Sequence, residues 1–427
     1  VRKLLSLVPL LAVSLAASIA AVSAETVVVR AGRLIDTETG VIRGPQIIVI
    51  ENGIIKSVGD KADIPAKSKV IDLSNETVLP GLIDCHTHLL DENEEDPVME
   101  LQTTAAQKVL GAIPHAKRTL QAGFTTVRDV GTFRAFTDVA LRDAIARGDV
   151  VGPRMFCAGA YVTITGGGGA ITGLAPGVQL PEDLRFGQAD SPWEVRRVVR
   201  DIAHHDVDWI KVIATGAVLA HGSNPASQEF TYEELKAAVD EARNFGLKVA
   251  AHAHGTQGIK DAVRAGVASI EHGSLLDDEG IALMKQHGTY LVADIYDDEY
   301  IQGEGKRKGI PPDFLEHDAK ISQTQRDNFA KAVKAGVLIA FGTDAGVFPH
   351  GQNARQFAWM VRYGMTPMQA IQSATIGAAS LLDKRSELGS VAAGKHADLI
   401  AVKGNPMDDI TLLEKVDFVM KDGKQYF

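Results

Sequence analysis

Cysteine is scarce: Cys85 and Cys157 are the two in 427 residues. So small a number excludes a disulfide framework as the source of stability. Both fall inside apolar strand-like runs and are expected as buried small hydrophobes. Cys85 precedes His86 directly, so strand alternation should turn it away from any site that His86 serves. No basic cluster interleaved with aromatics occurs, and the formal charge is −10, which excludes a general nucleic-acid or anionic-membrane binder. Long internal repeats and low-complexity tracts are also missing, with the four glycines at 166–169 a local exception. What remains, 45% hydrophobic and 23% charged, is the composition of an ordinary globular chain.

The N-terminus departs from that texture. Arg2 and Lys3 precede an apolar run over residues 4–22 that ends in Val22-Ser23-Ala24. This is the order of a secretory signal peptide (1–24), with cleavage expected after Ala24 rather than retention as an anchor. The mature chain would then be periplasmic or secreted, with no stable membrane association.

Residues 25–77 read as short strands and turns, with Glu51-Asn52-Gly53 a hairpin signal. The same texture returns over 389–427, so both ends should pair into one small β-sandwich domain. Between them, over 78–388, strands and helices alternate. Strand-like runs lie at 78–84, 125–130, 154–162, 209–213, 248–252, 269–272, 290–294 and 337–342, with helical patterns such as 231–245 and 258–265 between them. The fold class is therefore α/β: a (β/α)₈ TIM-type barrel with a sandwich formed by both chain ends.

Chemistry in such a barrel collects at the C-terminal strand ends. Here those ends read His86-Thr87-His88, Asp129, Lys211, His252-Ala253-His254, Glu271-His272 and Asp344. His86 and His88, two apart on a strand, project on one side and suit a shared cation. Lys211 lies in the apolar run Trp209-Ile210-Lys211-Val212-Ile213, where an ammonium is costly to bury. A neutral amine there can take up carbon dioxide, and the resulting carbamate can bridge two cations. His252 and His272 are further ligands; His254, two residues nearer the mouth, is expected to meet substrate or to support the ligands from behind. Asp344 can ligate a metal and take a proton from its water. Two divalent cations, zinc by their ligand types, would make this machinery for hydrolysing an amide or ester.

Val78-Leu79-Pro80-Gly81-Leu82-Ile83-Asp84-Cys85-His86-Thr87-His88 resembles the first-strand signature of the amidohydrolase superfamily. Phe124-Thr125-Thr126-Val127-Arg128-Asp129 and Gly342-Thr343-Asp344-Ala345-Gly346 are similar to further blocks of it. Ala251-His252-Ala253-His254-Gly255 and Ser269-Ile270-Glu271-His272-Gly273 resemble its Xaa-Pro dipeptidase and Xaa-Arg/Lys carboxypeptidase branch, and ochratoxin amidohydrolases look similar. The resemblance implies binuclear zinc, a carboxylated lysine at Lys211, and release of a C-terminal amino acid from dipeptides or N-acyl amino acids. For the ochratoxin type it implies tolerance of an aromatic acyl group on phenylalanine. A homo-oligomer with a small-molecule or dipeptide substrate is expected.

One block departs. The peptidase branch often reads Thr-Gly-Gly-His-Gly-Asp after the third strand, its histidine helping to hold the substrate carboxylate. This chain has Thr165-Gly166-Gly167-Gly168-Gly169-Ala170, either a flexible loop or a widened pocket. Carboxylate recognition then falls to other residues, with Tyr161, His221, Tyr296 and His350 as candidates. The polar stretch 297–320 reads as a mobile lid. Two rivals stand beside the peptidase reading. A cyclic-amide hydrolase or imidazolonepropionase-like deaminase is less favoured, because Lys211 is present and Gly255-Thr256-Gln257 brings no glutamate after His254. A non-catalytic secreted binding protein is remote, because all six ligand positions are filled.

Overall fold

The computed structural model describes residues 26–92 and 97–427; the export-signal expectation falls on residues outside these. Thr26–Asp36 pairs antiparallel with Gln46–Glu51, which turns into Ile54–Gly59. Asn52 and Gly53 take that turn at φ +51° and +81°, the left-handed pair a tight hairpin requires. Lys69–Pro80 then lies parallel to Thr26–Asp36 on one side and antiparallel to Leu399–Lys403 on the other. Phe418–Lys421 and Lys424–Gln425 complete an eight-stranded sheet built from both chain ends. Its core is aliphatic and aromatic, with Val29, Ile48, Val78, Leu399, Phe418 and Met420 buried together.

The sheet reaches further along the chain than the apolar pattern predicts. Residues 78–80, expected to open the barrel, instead pair with Leu399–Ala401. Gly81 is the joint: a Cβ there would stand 2.2 Å from Thr125 Oγ1, so only glycine lets the chain pass from sheet to barrel.

The first barrel strand is Leu82–Thr87, followed in parallel by Phe124–Asp129 and Arg154–Cys157. The run expected at 154–162 is split, with Tyr161–Val162 pairing onward to Trp209–Ile213. Lys248–Ala253, Ser269–His272 and Tyr290–Val292 continue the parallel order. The eighth segment makes single bridges: Ile339 pairs with Leu291, and Cys85 N–H donates to Phe341 O at 2.8 Å, joining last strand to first. Helices cover the outside. Tyr232–Asn244 begins on a Thr231–Glu234 capping box, and Thr256–Ala265 ends on Gly266 in the left-handed region.

Both cysteines are free and buried. Cys157 packs beneath the outer helices with Ala116, Val127 and Leu141. Cys85 joins Trp209, Ala250 and Val292 one step below the polar strand ends, where the register shifts between Asp84 and Thr87.

Candidate active site

The polar strand ends converge on one cleft of about 1090 Å³, counting the space open to solvent at its mouth. His86, His88, Tyr161, Lys211, His252, His254, His272 and Asp344 all line it. Three overlapping groups place their donor atoms within 4.8 Å of one another: His86, His88 and Asp344; His272, Asp294 and Asp344; His252, His254 and His272. Asp344 and His272 each belong to two groups and have φ of +57° and +67°, a strained backbone for non-glycine residues.

Asp344 Oδ1 lies 3.3 Å from His86 Nε2 and 3.1 Å from His88 Nε2, yet is buried with no hydrogen-bond partner. Burial holds the His252 and His254 imidazoles well below their ordinary range, helped by the charge of His272. Imidazole nitrogens and an orphaned carboxylate oxygen converging this closely are the donor set of a cation site, and divalent metals fit it.

Four of the five rings have a partner at Nδ1. Glu271 Oε2 is 3.1 Å from His86 Nδ1, and Gly131 O is 2.8 Å from His88 Nδ1. Asp294 Oδ2 lies 2.7 Å from His272 Nδ1. Ser274 Oγ lies 2.7 Å from His254 Nδ1 and bonds Gln325, whose Nε2 donates to Asp294. Such partners set which nitrogen faces the cleft. Arg128 anchors the whole from below, donating to Cys85 O, Ser269 Oγ and Glu271 Oε1 at 2.6, 3.0 and 2.8 Å. Lys211 is 2% exposed, and burial lowers its ammonium pKa to about 8.

His254, expected nearer the mouth, is 4% exposed against 7% for His252, and its ring stacks on His272 at 4.6 Å. It belongs with the ligand groups as much as with the substrate. Tyr161 Oη donates to Gly131 O at 3.0 Å and stands 3.2 Å from His88 Nδ1. The other three substrate candidates do not line the cleft. His221 turns to Asp313 at 2.9 Å, Tyr296 receives Arg355 at 2.8 Å, and His350 Nε2 lies 2.8 Å from Asp91 O. Asp294, Ser274 and Gln325 complete the site without having been singled out. Asp294 obeys the strand-end rule that found the others, whereas Gln325 comes from a distant helix and carries no sequence signal.

The stretch read as a lid is helical wall. Asp297–Tyr300 and the turns after it lead into helix Pro312–Ala335, and Asp297, Asp298 and Asp318 border the cleft. Burial, with mutual repulsion, raises the Asp297 and Asp298 carboxyls well above their ordinary range. Another part of the lining is apolar and mostly small: Gly168, Gly169, Ile213, Ala217 and Val218.

A family model described as the amidohydrolase family matches residues 77–426. Ochratoxinase of Aspergillus niger is 35% identical over 392 residues, which cover 86% of this chain and 80% of that protein. Among solved structures, a Xaa-Pro dipeptidase with methionine in its active site is similar at a TM-score of 0.87 and 40% identity, covering 94% of this chain and 99% of its own. A prolidase complexed with N-methylphosphonate-L-proline is similar at a TM-score of 0.87 and 30% identity, again covering 94% and 99%.

Proposed function

Because the chain belongs to the amidohydrolase family, we propose that it is a zinc-dependent hydrolase releasing a C-terminal amino acid from dipeptides or N-acyl amino acids. The observation that carries this reading is the convergence of His86, His88, His252, His272 and Asp344 with a buried Lys211 in one cleft. These residues, with a carboxylated Lys211, would hold two divalent cations, which would supply Lewis acidity to a water and to the amide carbonyl.

The chain's own groups do the rest. Asp344 takes the water's proton and returns it to the leaving nitrogen. His254, held by Ser274, steadies the carbonyl oxygen as charge develops. The apolar wall takes the acyl group, and the likeness to an ochratoxinase makes an aromatic acyl-phenylalanine a reasonable substrate. The reading of the N-terminal segment as an export signal puts this activity outside the cytoplasm.

A hydrolysis screen on zinc-loaded protein tests the proposal, covering dipeptides, N-acyl amino acids and an aromatic acyl-phenylalanine. Free C-terminal amino acid should appear, vanish after chelation and return with zinc. No release from any member, with metal bound, would sink the reading and turn the search to cyclic amides.

Lys211 supports a separate expectation. Its neutral form grows as pH rises through about 8. At constant dissolved carbon dioxide, reactivation of metal-stripped protein by zinc should therefore quicken about tenfold between about pH 7 and 9. A rate indifferent to pH and carbon dioxide would remove the carbamate.

A further inference from the structure

Beyond Gly166 the glycine run is held by hydrogen bonds and packing. Thr165 donates to Asp190 from its N–H at 2.8 Å and from its hydroxyl at 2.6 Å, fixing one end. Gly167 N–H reaches Ile164 O at 3.0 Å, Ala170 N–H reaches Gly167 O at 2.9 Å, and Gly169 N–H reaches Thr163 Oγ1 at 3.3 Å. The middle of the run is held from outside. Gly168 N–H donates to both oxygens of Glu229, at 2.9 and 3.0 Å.

Gly166 has open space beside it, but Gly167, Gly168 and Gly169 are pressed against neighbours. A Cβ on Gly167 would stand 2.5 Å from Glu229 Oε2, one on Gly168 2.9 Å from Ala217 N, and one on Gly169 2.7 Å from Ile213 Cγ1. Real Cβ atoms do not sit that close without displacing the neighbour. Gly168, Gly169, Ile213 and Ala217 are the apolar wall of the cleft, whereas Glu229 does not line it. Burial pushes the Glu229 carboxyl up to about 7, with the Gly168 N–H pulling the other way. A carboxylate half-buried for the sake of one backbone amide is costly unless that contact matters.

We propose that Glu229 is a positioning residue: it clamps Gly168 so that the glycine run lies flat against Ala217, and this sets the width available to the substrate's acyl group. With the clamp in place, the wall is backbone with Ala217 and Ile213, leaving room for a bulky aromatic acyl group in the cleft. Released, the run would lift from Ala217 into that space. For its substrate readout this role rests on the amide-hydrolase reading; its backbone readout does not.

Two measurements on the full-length, zinc-loaded protein test it. The first is amide hydrogen exchange of residues 165–170 in parent, Glu229→Gln and Glu229→Ala. Loss of the hydrogen bonds to both carboxyl oxygens should speed exchange at Gly168 by about tenfold in the alanine variant. Glutamine, which keeps one acceptor oxygen, should fall between. The second compares kcat/KM for an aromatic acyl-phenylalanine with that for acetyl-phenylalanine. The aromatic-to-acetyl ratio should fall about tenfold in Glu229→Ala, with the loss in KM rather than kcat, and glutamine should restore part of it.

Unchanged exchange would overturn the clamp. Faster exchange with an unchanged ratio, or equal kcat losses on both substrates, would overturn its role in pocket width. If the parent cleaved neither substrate, the hydrolase reading would fail while hydrogen exchange still decided the clamp.

Discussion

Asp344→Asn is expected to lower turnover by about a thousandfold, within the usual range for loss of a general acid–base group. Asparagine keeps the shape and tolerates the left-handed backbone that Asp344 adopts at φ +57°, so the fold should survive. What disappears is the negative charge. Burial would raise the Asp344 carboxyl, but the nearby His86 and His88 outweigh it by charge and hold the carboxyl well below the usual range. In return Asp344 raises the His88 imidazole to about 9 against the opposing effect of burial. An amide can neither hold the water's proton nor serve two ligand groups at once. Metal content should therefore fall along with kcat, and elemental analysis beside steady-state kinetics separates the two effects. A variant that binds its full complement of metal and keeps a tenth of the parent's turnover would remove Asp344 from the proton path.

Arg128→Met should destabilise the protein by about 3–5 kcal/mol, the cost of stranding a buried charge. Arg128 is 0% exposed, spends its donors on three partners, and rests over the Trp209 ring at 4.6 Å. Methionine replaces its bulk but leaves Glu271 buried without its cation. Burial alone would raise the Glu271 carboxyl; Arg128, with His86, reverses this and holds it far below the ordinary value. Because the folded value is depressed, this stabilisation is present above the unfolded carboxylate range and is lost as pH falls below it. Thermal melting near neutral pH should therefore show the full loss. In Arg128→Met with Glu271→Gln no charge is stranded, so the pair should melt above Arg128→Met alone. His86 loses its orienting carboxylate in that double variant, and zinc affinity should drop about 10- to 100-fold. Equal melting of parent and Arg128→Met would show that the barrel interior carries no net electrostatic dependence on this pair.

The candidate ligands were legible because a barrel makes position along a strand equivalent to depth. Polar residues ending apolar runs therefore had to meet, and His86, His88, Lys211, His252, His272 and Asp344 do line one cleft. Asp294 ends its run by the same rule and went unremarked only because a single aspartate before a polar stretch resembles a turn. Loop residues carry no such coordinate. His221, Tyr296 and His350 have suitable chemistry, but their directions are set by Asp313, Arg355 and the Asp91 carbonyl, partners remote in sequence. The glycine run fails for a different reason. Composition reports what backbone conformations glycine permits, not the neighbours pressed against it. The strand boundary at Pro80 was hidden because an apolar run looks the same whether it enters a sheet or a barrel.

The pairing of the two chain ends bears on how the molecule is made. Thr77 donates to the carbonyl of Gly404, 327 residues further on. During synthesis, one edge of Lys69–Pro80 stays bare until Leu399–Lys403 has been translated. An uncapped edge of that length invites pairing with another nascent chain. The first strands made are thus among the last to be sealed, and a ribosome that stops short of the final segment releases a chain with a sticky edge rather than a slightly shortened enzyme.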